Sequence, residues 1–208
     1  MADICFEHGT LLVSDEIHSD LIFHGKKHMP APLISCEAAE RVITCVSATK
    51  TFNLAGLQAS TTIFPNIEMK QAFDRYWSSM DIMRNNAFSS VAMEAAYREG
   101  EEWLEQLLPY ISANFDYICS FCAENIPEIK PVCPDATYLM WLDCRALGLD
   151  NDALRDFFIF KAGLGLNEGR TFGRSLSGYM RLNAACQRAT LEKAMAQLKS
   201  AVDELMGR

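Results

Sequence analysis

The residues best suited to chemistry stand where an apolar segment ends. Lys50 follows the apolar run 41–46 and lies among small hydroxyl residues, Ser47 and Thr49. A strand that ended here would hold the lysine at the carboxyl edge of a sheet, where open α/β sheets bind their ligands. The hydroxyl groups could hydrogen-bond an anion, and the amine could form a Schiff base with an aldehyde cofactor. Taken alone, the stretch also fits a surface lysine on a loop.

Two other side chains have complementary chemistry. Asp15 follows 10–14, a continuously apolar run typical of a buried parallel strand, so its carboxylate would lie at the same edge of the sheet. An aspartate in this place is also typical of a turn or a helix cap. Arg181 lies in the segment 179–183 and could bind a carboxylate through its planar fork, or be a surface arginine on an edge strand.

The hydrophobic pattern predicts the elements that position these residues. Strands are predicted at 10–14, 41–46, 59–64, 130–132, 137–142, 164–166 and 179–183. Helices are predicted up to residue 9 and at 36–40, 68–80, 89–98, 101–125, 151–162 and 189–206. Pro109 should kink or split the helix at 101–125. We expect a domain boundary in this helix, between 1–105 and 106–208, and a partly antiparallel sheet in the second domain.

Composition excludes several classes of function. The 208 residues carry a net charge of -8, which argues against nucleic acid or an anionic membrane as the main partner. No apolar run reaches the roughly 20 residues that a membrane span needs. The N-terminal residues lack the basic-then-apolar pattern of a secretion signal. The eight scattered cysteines suit a reducing cytoplasm.

The remaining titratable groups are interpreted as structural. Cys119 and Cys122 form a C-x-x-C pair inside a predicted helix, without a second pair at zinc spacing, so we expect buried thiols and no metal site. Glu16 and Asp20 are expected to be solvated or capping carboxylates. The histidines expected at the surface are His8, His24 and His28.

Three segments carry a resemblance to a known family. Segment 47–57 resembles the pyridoxal-phosphate attachment site of the class I/II aminotransferases, and its Thr-Lys-Thr-Phe-Asn-Leu-Ala-Gly-Leu wording is most similar to the cystathionine β-lyases of the MalY/PatB type. The Ser-Asp-Glu-Ile-His-Ser-Asp of 14–20 resembles the same family's second motif. The Arg-Leu-Asn of 181–183 resembles the motif near its C-terminal end.

The resemblance implies a role for each candidate. Lys50 would carry the pyridoxal phosphate, and Asp15 would hold the protonated pyridine nitrogen of its ring. Ser47 and Thr49 would contact the cofactor's phosphate. Arg181 would bind the α-carboxylate of an amino-acid substrate.

Two positions depart from the pattern of many aminotransferases. His18 stands where those enzymes have a tyrosine that contacts the ring oxygen. It either keeps this contact or loses it, and we include it among the cofactor-binding candidates. Gln58 stands where an arginine often neutralises the phosphate, and the lyase branch often lacks that arginine.

The implied fold is part of a large fold-type I domain, with an incomplete and mostly parallel sheet, followed by a small α/β domain. The implied activity is carbon–sulfur β-lysis of cystathionine- or cysteine-type amino acids to pyruvate, ammonia and a thiol. The alternatives are an aminotransferase, an inactive truncated fragment and, less well supported, a non-enzymatic binding domain. Because the resemblance covers only the C-terminal half of a family member, it implies a homodimer or pairing with a missing N-terminal half.

Overall fold

The computed structural model describes residues 1–82 and 86–208. These residues form two compact units, Met1–Gln106 and Leu107–Arg208, called here the first and the second unit. The helices are α1 (Ala2–Glu7), α2 (Cys36–Arg41), α3 (Ala48–Thr51), α4 (Ile67–Ser79), α5 (Ser89–Glu99), α6 (Glu101–Asn125), α7 (Asn151–Asp156) and α8 (Arg188–Met206). The strands are β1 (Leu12–Asp15), β2 (Val42–Val46), β3 (Thr61–Ile63), β4 (Lys130–Val132), β5 (Leu139–Asp143), β6 (Asn167–Glu168) and β7 (Tyr179–Asn183).

The sheet of the first unit has the strand order β1-β2-β3. Strands β1 and β2 are parallel, with Asp15 opposite Cys45, whereas β2 and β3 are antiparallel. The predicted α/β class is confirmed, and the three predicted strands are neighbours. Their sheet is mixed rather than mostly parallel, because the connection from β2 to β3 turns the chain back on itself.

The first unit has a small core and a large apolar surface. Its larger buried apolar side chains include Leu21, Phe23 and Val42. Within the described residues, no side chain of α4 is buried, although the helix carries Phe73 and Trp77. The large apolar side chains exposed in this unit include those of Leu11, Val13, Leu33, Ile34, Ile63, Phe73, Tyr76, Trp77 and Val91. An exposed apolar surface of this extent usually marks a place where another part of a protein or a partner packs.

The second unit contains a four-stranded sheet in the order β4-β5-β7-β6. Alternate side chains of β5 and β7 are buried, as the two-residue period of a strand requires. Helices α6 and α8 add further core residues, namely Ile111, Phe115, Ile118, Leu191, Met195 and Leu198. The prediction of a partly antiparallel sheet was wrong, because all three strand pairs described here are antiparallel.

Most predicted elements are present, with ends that differ by a few residues. The strand predicted at 164–166 was wrong, because the strand of this region is Asn167–Glu168. Helix α6 runs unbroken through Pro109, so the proline does not split it. The helix predicted at 151–162 is α7 followed by a π-helical turn, Phe157–Lys161.

None of the described helices combines the length and the apolar character that a membrane span requires. Within residues 1–82 and 86–208, no group of three or more His, Cys, Asp or Glu side chains could hold a metal ion.

Candidate active site

Lys50 lies on the short helix α3, directly after β2. Ser47 caps this helix, since its Oγ accepts a hydrogen bond from the backbone N–H of Thr49 at 3.0 Å. The same hydroxyl donates to the carbonyl of Ala59 at 2.6 Å and therefore closes the segment that carries the lysine. Lys50 is half-buried and makes no hydrogen bond or ion pair with the described part of the chain. Its amine therefore lies near the edge of the sheet and has no hydrogen-bonding partner among the described residues.

A second contact ties α3 to the turn after β1. The hydroxyl of Thr51, which is 1% exposed, donates to Oδ2 of Asp20 at 2.8 Å. Asp20 was expected to be solvated or capping, and this was wrong. Its partner is 31 residues away in sequence, so no local pattern could indicate it. The contact fixes the helix of Lys50 relative to the residues that follow Asp15.

Aromatic packing anchors the other side of α3. The ring of Phe52 lies 5.6 Å from that of Trp103, and it also fills the space beside Gly100. A Cβ at Gly100 would lie 2.3 Å from Cε1 of Phe52, so only glycine allows this close approach. Phe52 thereby packs α3 against the region where α5 ends and α6 begins.

The chain leaves α3 through two residues in the left-handed backbone region. These are Asn53, with φ of 55°, and Gln58, with φ of 51°. Asparagine tolerates this conformation better than most residues do. The carbonyl of Leu57 accepts a hydrogen bond from the buried hydroxyl of Ser89 at 2.7 Å, which fixes the end of the loop. The side chain of Gln58 is exposed.

Asp15 is the last residue of β1, and its side chain is exposed. One oxygen, Oδ1, accepts the backbone N–H of Ile17 at 3.3 Å. Because β1 and β2 are parallel and Asp15 pairs with Cys45, Asp15 lies at the carboxyl edge of the sheet, the edge from which α3 continues. The structure therefore places Asp15 and Lys50 at the same edge, as the sequence predicted.

Glu16 is buried, and the expectation of a solvated carboxylate was wrong. Its oxygens accept hydrogen bonds from Ser14 Oγ at 2.9 Å, from the N–H of Ala31 at 2.8 Å and from Nε2 of His28 at 2.7 Å. Burial raises the pKa of this carboxyl, but the hydrogen bonds from Ala31, His28 and Ser14 outweigh it and hold the pKa below its ordinary value. His28, expected at the surface, is therefore half-buried and hydrogen-bonded to this carboxylate.

The hydroxyl hydrogens of Ser47 and Thr49 are already used inside the segment. Ser47 donates to Ala59, and Oγ1 of Thr49 lies 2.7 Å from Oγ of Ser47, so Thr49 is left to donate to Ser47. Both residues are buried. In this arrangement they position the lysine, and contact with a phosphate stays a prediction.

The side chain of His18 is half-buried in the turn after β1. Its carbonyl accepts the N–H of Leu21 at 3.1 Å, so the backbone of this turn is fixed. Its contact with a cofactor ring also stays a prediction.

Arg181 lies on β7 in the second unit, between the neighbouring strands β5 and β6. Its guanidinium donates to Oδ1 of Asn167 at 3.1 Å and lies over the ring of Phe172, 4.3 Å from the centroid. Its Nε is buried without a hydrogen-bond partner, and it forms no ion pair with a carboxylate among the described residues. An arginine that is oriented but lacks a counter-ion is suited to binding an external carboxylate.

Comparison with known proteins identifies the chain. The sequence model described as aminotransferase class I and II matches residues 1–198. The chain belongs to the class I and II aminotransferase family. Among relatives, cystathionine β-lyase PatB of Bacillus subtilis is 40% identical over 202 residues, and protein MalY of Escherichia coli is 33% identical over 203 residues. The matches cover 97% of this chain but 52% of PatB and 51% of MalY.

Solved structures agree with this membership in the aminotransferase family. Cystalysin from Treponema denticola, whose crystal structure contains a pyridoxal 5'-phosphate cofactor, matches with a TM-score of 0.91 at 33% identity. The match covers 98% of this chain and 52% of cystalysin. The resemblance drawn from the three motifs is confirmed, and the chain spans about half the length of the relatives it matches.

Proposed function

We propose that this aminotransferase-family chain provides the cofactor-attachment and carboxylate-binding residues of a pyridoxal-phosphate-dependent carbon–sulfur β-lyase. The observation that carries the proposal is the position of the Lys50 amine. It lies on α3, which hydrogen bonds fix at the carboxyl edge of the sheet, and it has no hydrogen-bond or ion-pair partner among the described residues. The lyase names of PatB and of its relatives favour elimination over amino transfer. Gln58, which stands where many aminotransferases have an arginine, also favours the lyase.

The residues of the first unit fit pyridoxal phosphate. Lys50 would attach the cofactor's aldehyde carbon through Nζ, and the exposed carboxylate of Asp15 would accept a hydrogen bond from its ring nitrogen. When bound, the cofactor would act as the electron sink for cleavage of bonds at the substrate's α-carbon. Ser47 and Thr49 would hold the lysine helix in place, with their hydroxyl groups near the phosphate. His18 would lie beside the ring.

Each remaining step belongs to a side chain of this protein. The amine of Lys50 would take the proton from the substrate's α-carbon, as a general base. The charge of Asp15 would keep a proton on the ring nitrogen throughout. Arg181 would bind the α-carboxylate of the substrate, with Asn167 and Phe172 fixing the plane of its guanidinium. The overall reaction would break the Cβ–S bond, consume one water molecule, and give a thiol, pyruvate and ammonia.

The first unit requires a partner to complete it. Its exposed apolar side chains, the unburied helix α4 and the outer edge of β1 support this proposal. We infer that the first unit is the C-terminal part of a large cofactor-binding domain, completed by an N-terminal half of about equal length, and that the second unit is the small domain. We further infer a homodimer in a reducing cytoplasm.

Cofactor attachment can be measured directly. The chain is mixed with pyridoxal phosphate, reduced with borohydride and digested, and each lysine peptide is then examined for the added mass. We expect the adduct on Lys50 and its loss in Lys50→Ala. Lys70→Ala is the matched control, because Lys70 lies on exposed α4 and pairs with Asp74. A folded chain that shows no adduct at millimolar cofactor, or equal labelling of all lysines, would exclude attachment by this chain alone.

Activity is tested in the completed protein. The chain is co-expressed with the N-terminal half of a relative such as PatB, and pyruvate release from L-cystathionine is measured beside amino transfer to a 2-oxo acid. Pyruvate release that depends on Lys50 would support the lyase. Amino transfer without pyruvate would replace it by the aminotransferase.

A further inference from the structure

The loop that joins β6 to β7, residues 169–178, carries the aromatic ring that lies against Arg181. The ring centroid of Phe172 in this loop lies 4.3 Å from Cζ of Arg181 and 5.4 Å from the ring centroid of Trp141. Asn167, which accepts the hydrogen bond of the Arg181 guanidinium, stands opposite it on β6, directly before the loop. The position of the β6–β7 loop therefore determines where the guanidinium can lie.

The start of α7 holds the beginning of this loop through an arginine. Arg170 donates through Nη2 to Oδ1 of Asp152 at 2.8 Å, and its Nε lies 2.7 Å from Oε2 of Glu168. Its side chain is half-buried between these two carboxylates. Arg170 thus has two counter-ions, whereas Arg181 has no carboxylate partner among the described residues. Of these two arginines, one is engaged in holding the loop and the other is available to a ligand.

The start of α7 also holds the end of the loop. Asn151 donates through Nδ2 to Oγ of Ser177 at 2.9 Å, and its Oδ1 accepts the backbone N–H of Gly178 at 3.1 Å. The two ends of the loop pack directly on each other, since a Cβ at Gly169 would lie only 2.3 Å from the carbonyl oxygen of Leu176. A displacement of either end is therefore passed to the other, and with it to the ring between them.

We propose that Arg170 and Asn151 are positioning residues, which fix the β6–β7 loop to α7 and, through Phe172, orient the guanidinium of Arg181 toward a substrate carboxylate. This inference rests on the proposed function, which assigns the carboxylate to Arg181. In this role neither residue contacts the substrate. They restrict the orientations of the guanidinium before binding, so less freedom is lost when the carboxylate arrives.

The orientation of Arg181 can be measured without cofactor or substrate. Protons above an aromatic face resonate upfield, so the Nε–H signal of Arg181 in the ¹⁵N-labelled full chain should be shifted upfield by Phe172. Arg181→Lys assigns the signal, and Phe172→Leu gives its position without the ring. In Arg170→Gln we expect most of the upfield shift to be lost. Arg174→Gln is the matched control, because it removes an exposed arginine from the same loop and should leave the shift unchanged. An upfield shift that persists in Arg170→Gln would overturn the inference.

Steady-state kinetics of the completed enzyme measure the consequence for binding. Arg170→Gln should raise KM about tenfold, close to the loss of one hydrogen bond to a charged group, and leave kcat nearly unchanged. Arg170→Lys keeps the charge, can reach one of the two carboxylates and should restore part of the affinity. Equal KM values for Arg170→Gln and Arg174→Gln would show that only net charge matters and would overturn the inference.

The two proposals fail in different ways. If Arg181→Gln leaves KM unchanged, the assignment of the carboxylate to Arg181 is wrong, and so is the inference built on it, even where the signal of Arg181 shows that the loop is held. If Arg181→Gln raises KM but Arg170→Gln does not, the proposed function stands and only the inference is overturned. Should Arg170→Gln fail to fold in a thermal unfolding control, Asn151→Ala replaces it in both measurements, with the same expected directions.

Discussion

Removal of the Glu16 carboxylate should loosen the loop that follows β1. Glu16 is 7% exposed, and its oxygens hold the N–H of Ala31 and the ring of His28. In Glu16→Ala, the N–H of Ala31 loses its acceptor in a partly buried place, at a cost of about 1–3 kcal/mol. Because 1.4 kcal/mol is a factor of ten, opening of this loop should become about 5 to 150 times more frequent.

Hydrogen exchange measures this opening. Peptides that cover 26–34 should exchange faster in Glu16→Ala by the same factor, while peptides from α8 in the second unit serve as the internal reference. Glu40→Ala is the matched control, because Glu40 is an exposed carboxylate on α2 and its removal changes the net charge equally. Equal exchange in the two variants would show that the hydrogen bonds of Glu16 contribute nothing to the order of the loop.

The pH dependence has a definite sign. The folded state holds the pKa of Glu16 below its ordinary value, so the carboxylate stabilises the fold above the unfolded pKa, which is about 4.3 for glutamate. This contribution is lost as the pH falls through the lower pKa of the folded state. The difference between the unchanged protein and Glu16→Ala should therefore be constant near neutral pH and shrink in acid, after correction for intrinsic exchange. A difference that grows in acid would contradict this reasoning.

Three further predictions concern packing and binding. Gly100→Ala should displace Phe52 and lower the free energy of unfolding of the first unit by about 1–3 kcal/mol, measured by urea denaturation; an unchanged midpoint would contradict it. Asn114→Ala should destabilise the second unit by about 1–3 kcal/mol in thermal unfolding, because this fully buried amide bonds two backbone carbonyls, and Asn114→Asp should not restore the loss. Phe172→Leu should remove the ring beneath Arg181 and raise KM of the completed enzyme about 2- to 30-fold. Phe172→Tyr keeps an aromatic ring and should retain most of the affinity. Equal effects of both variants would show that the ring does not contribute to substrate binding.

The position of Lys50 could be predicted because its signals are local. An apolar run that ends at Ser47 indicates where β2 stops, and Asn53 and Gly56 indicate where the following loop lies. The same holds for Asp15, since a short apolar run directly precedes it. The helix α3 was missed, because four residues are too few for a hydrophobic period and only the cap at Ser47 indicates it.

The supports of the site could not be predicted, because they join distant residues. Glu16 finds His28 and Ala31 12 and 15 residues away, and the hydroxyl of Thr51 reaches Asp20 across 31 residues. Such partners depend on how the turn after β1 folds back, which no local pattern encodes. One possible signal was present in the sequence, because a second carboxylate, Glu16, directly follows Asp15 at the end of a predicted strand.

Strand β6 shows the limit of the apolar pattern. The pattern favoured 164–166, yet the strand consists of the polar residues Asn167 and Glu168. Its position depends on backbone pairing with β7, where Asn167 stands opposite Arg181. For the same reason, the sequence analysis missed Asn167, which orients Arg181, the candidate residue for binding a carboxylate.

The lysine-bearing segment is closed at its base by Ser47 and Ala59, but its far end is exposed. A side chain added at Gly56 would meet no atom within 4 Å. A cysteine introduced there and coupled to a fluorophore, with Cys36 and Cys133 changed to serine, would place an optical reporter close in sequence to Lys50 without disturbing the buried anchors. Occupancy of the lysine could then be followed in real time, before any turnover is measured.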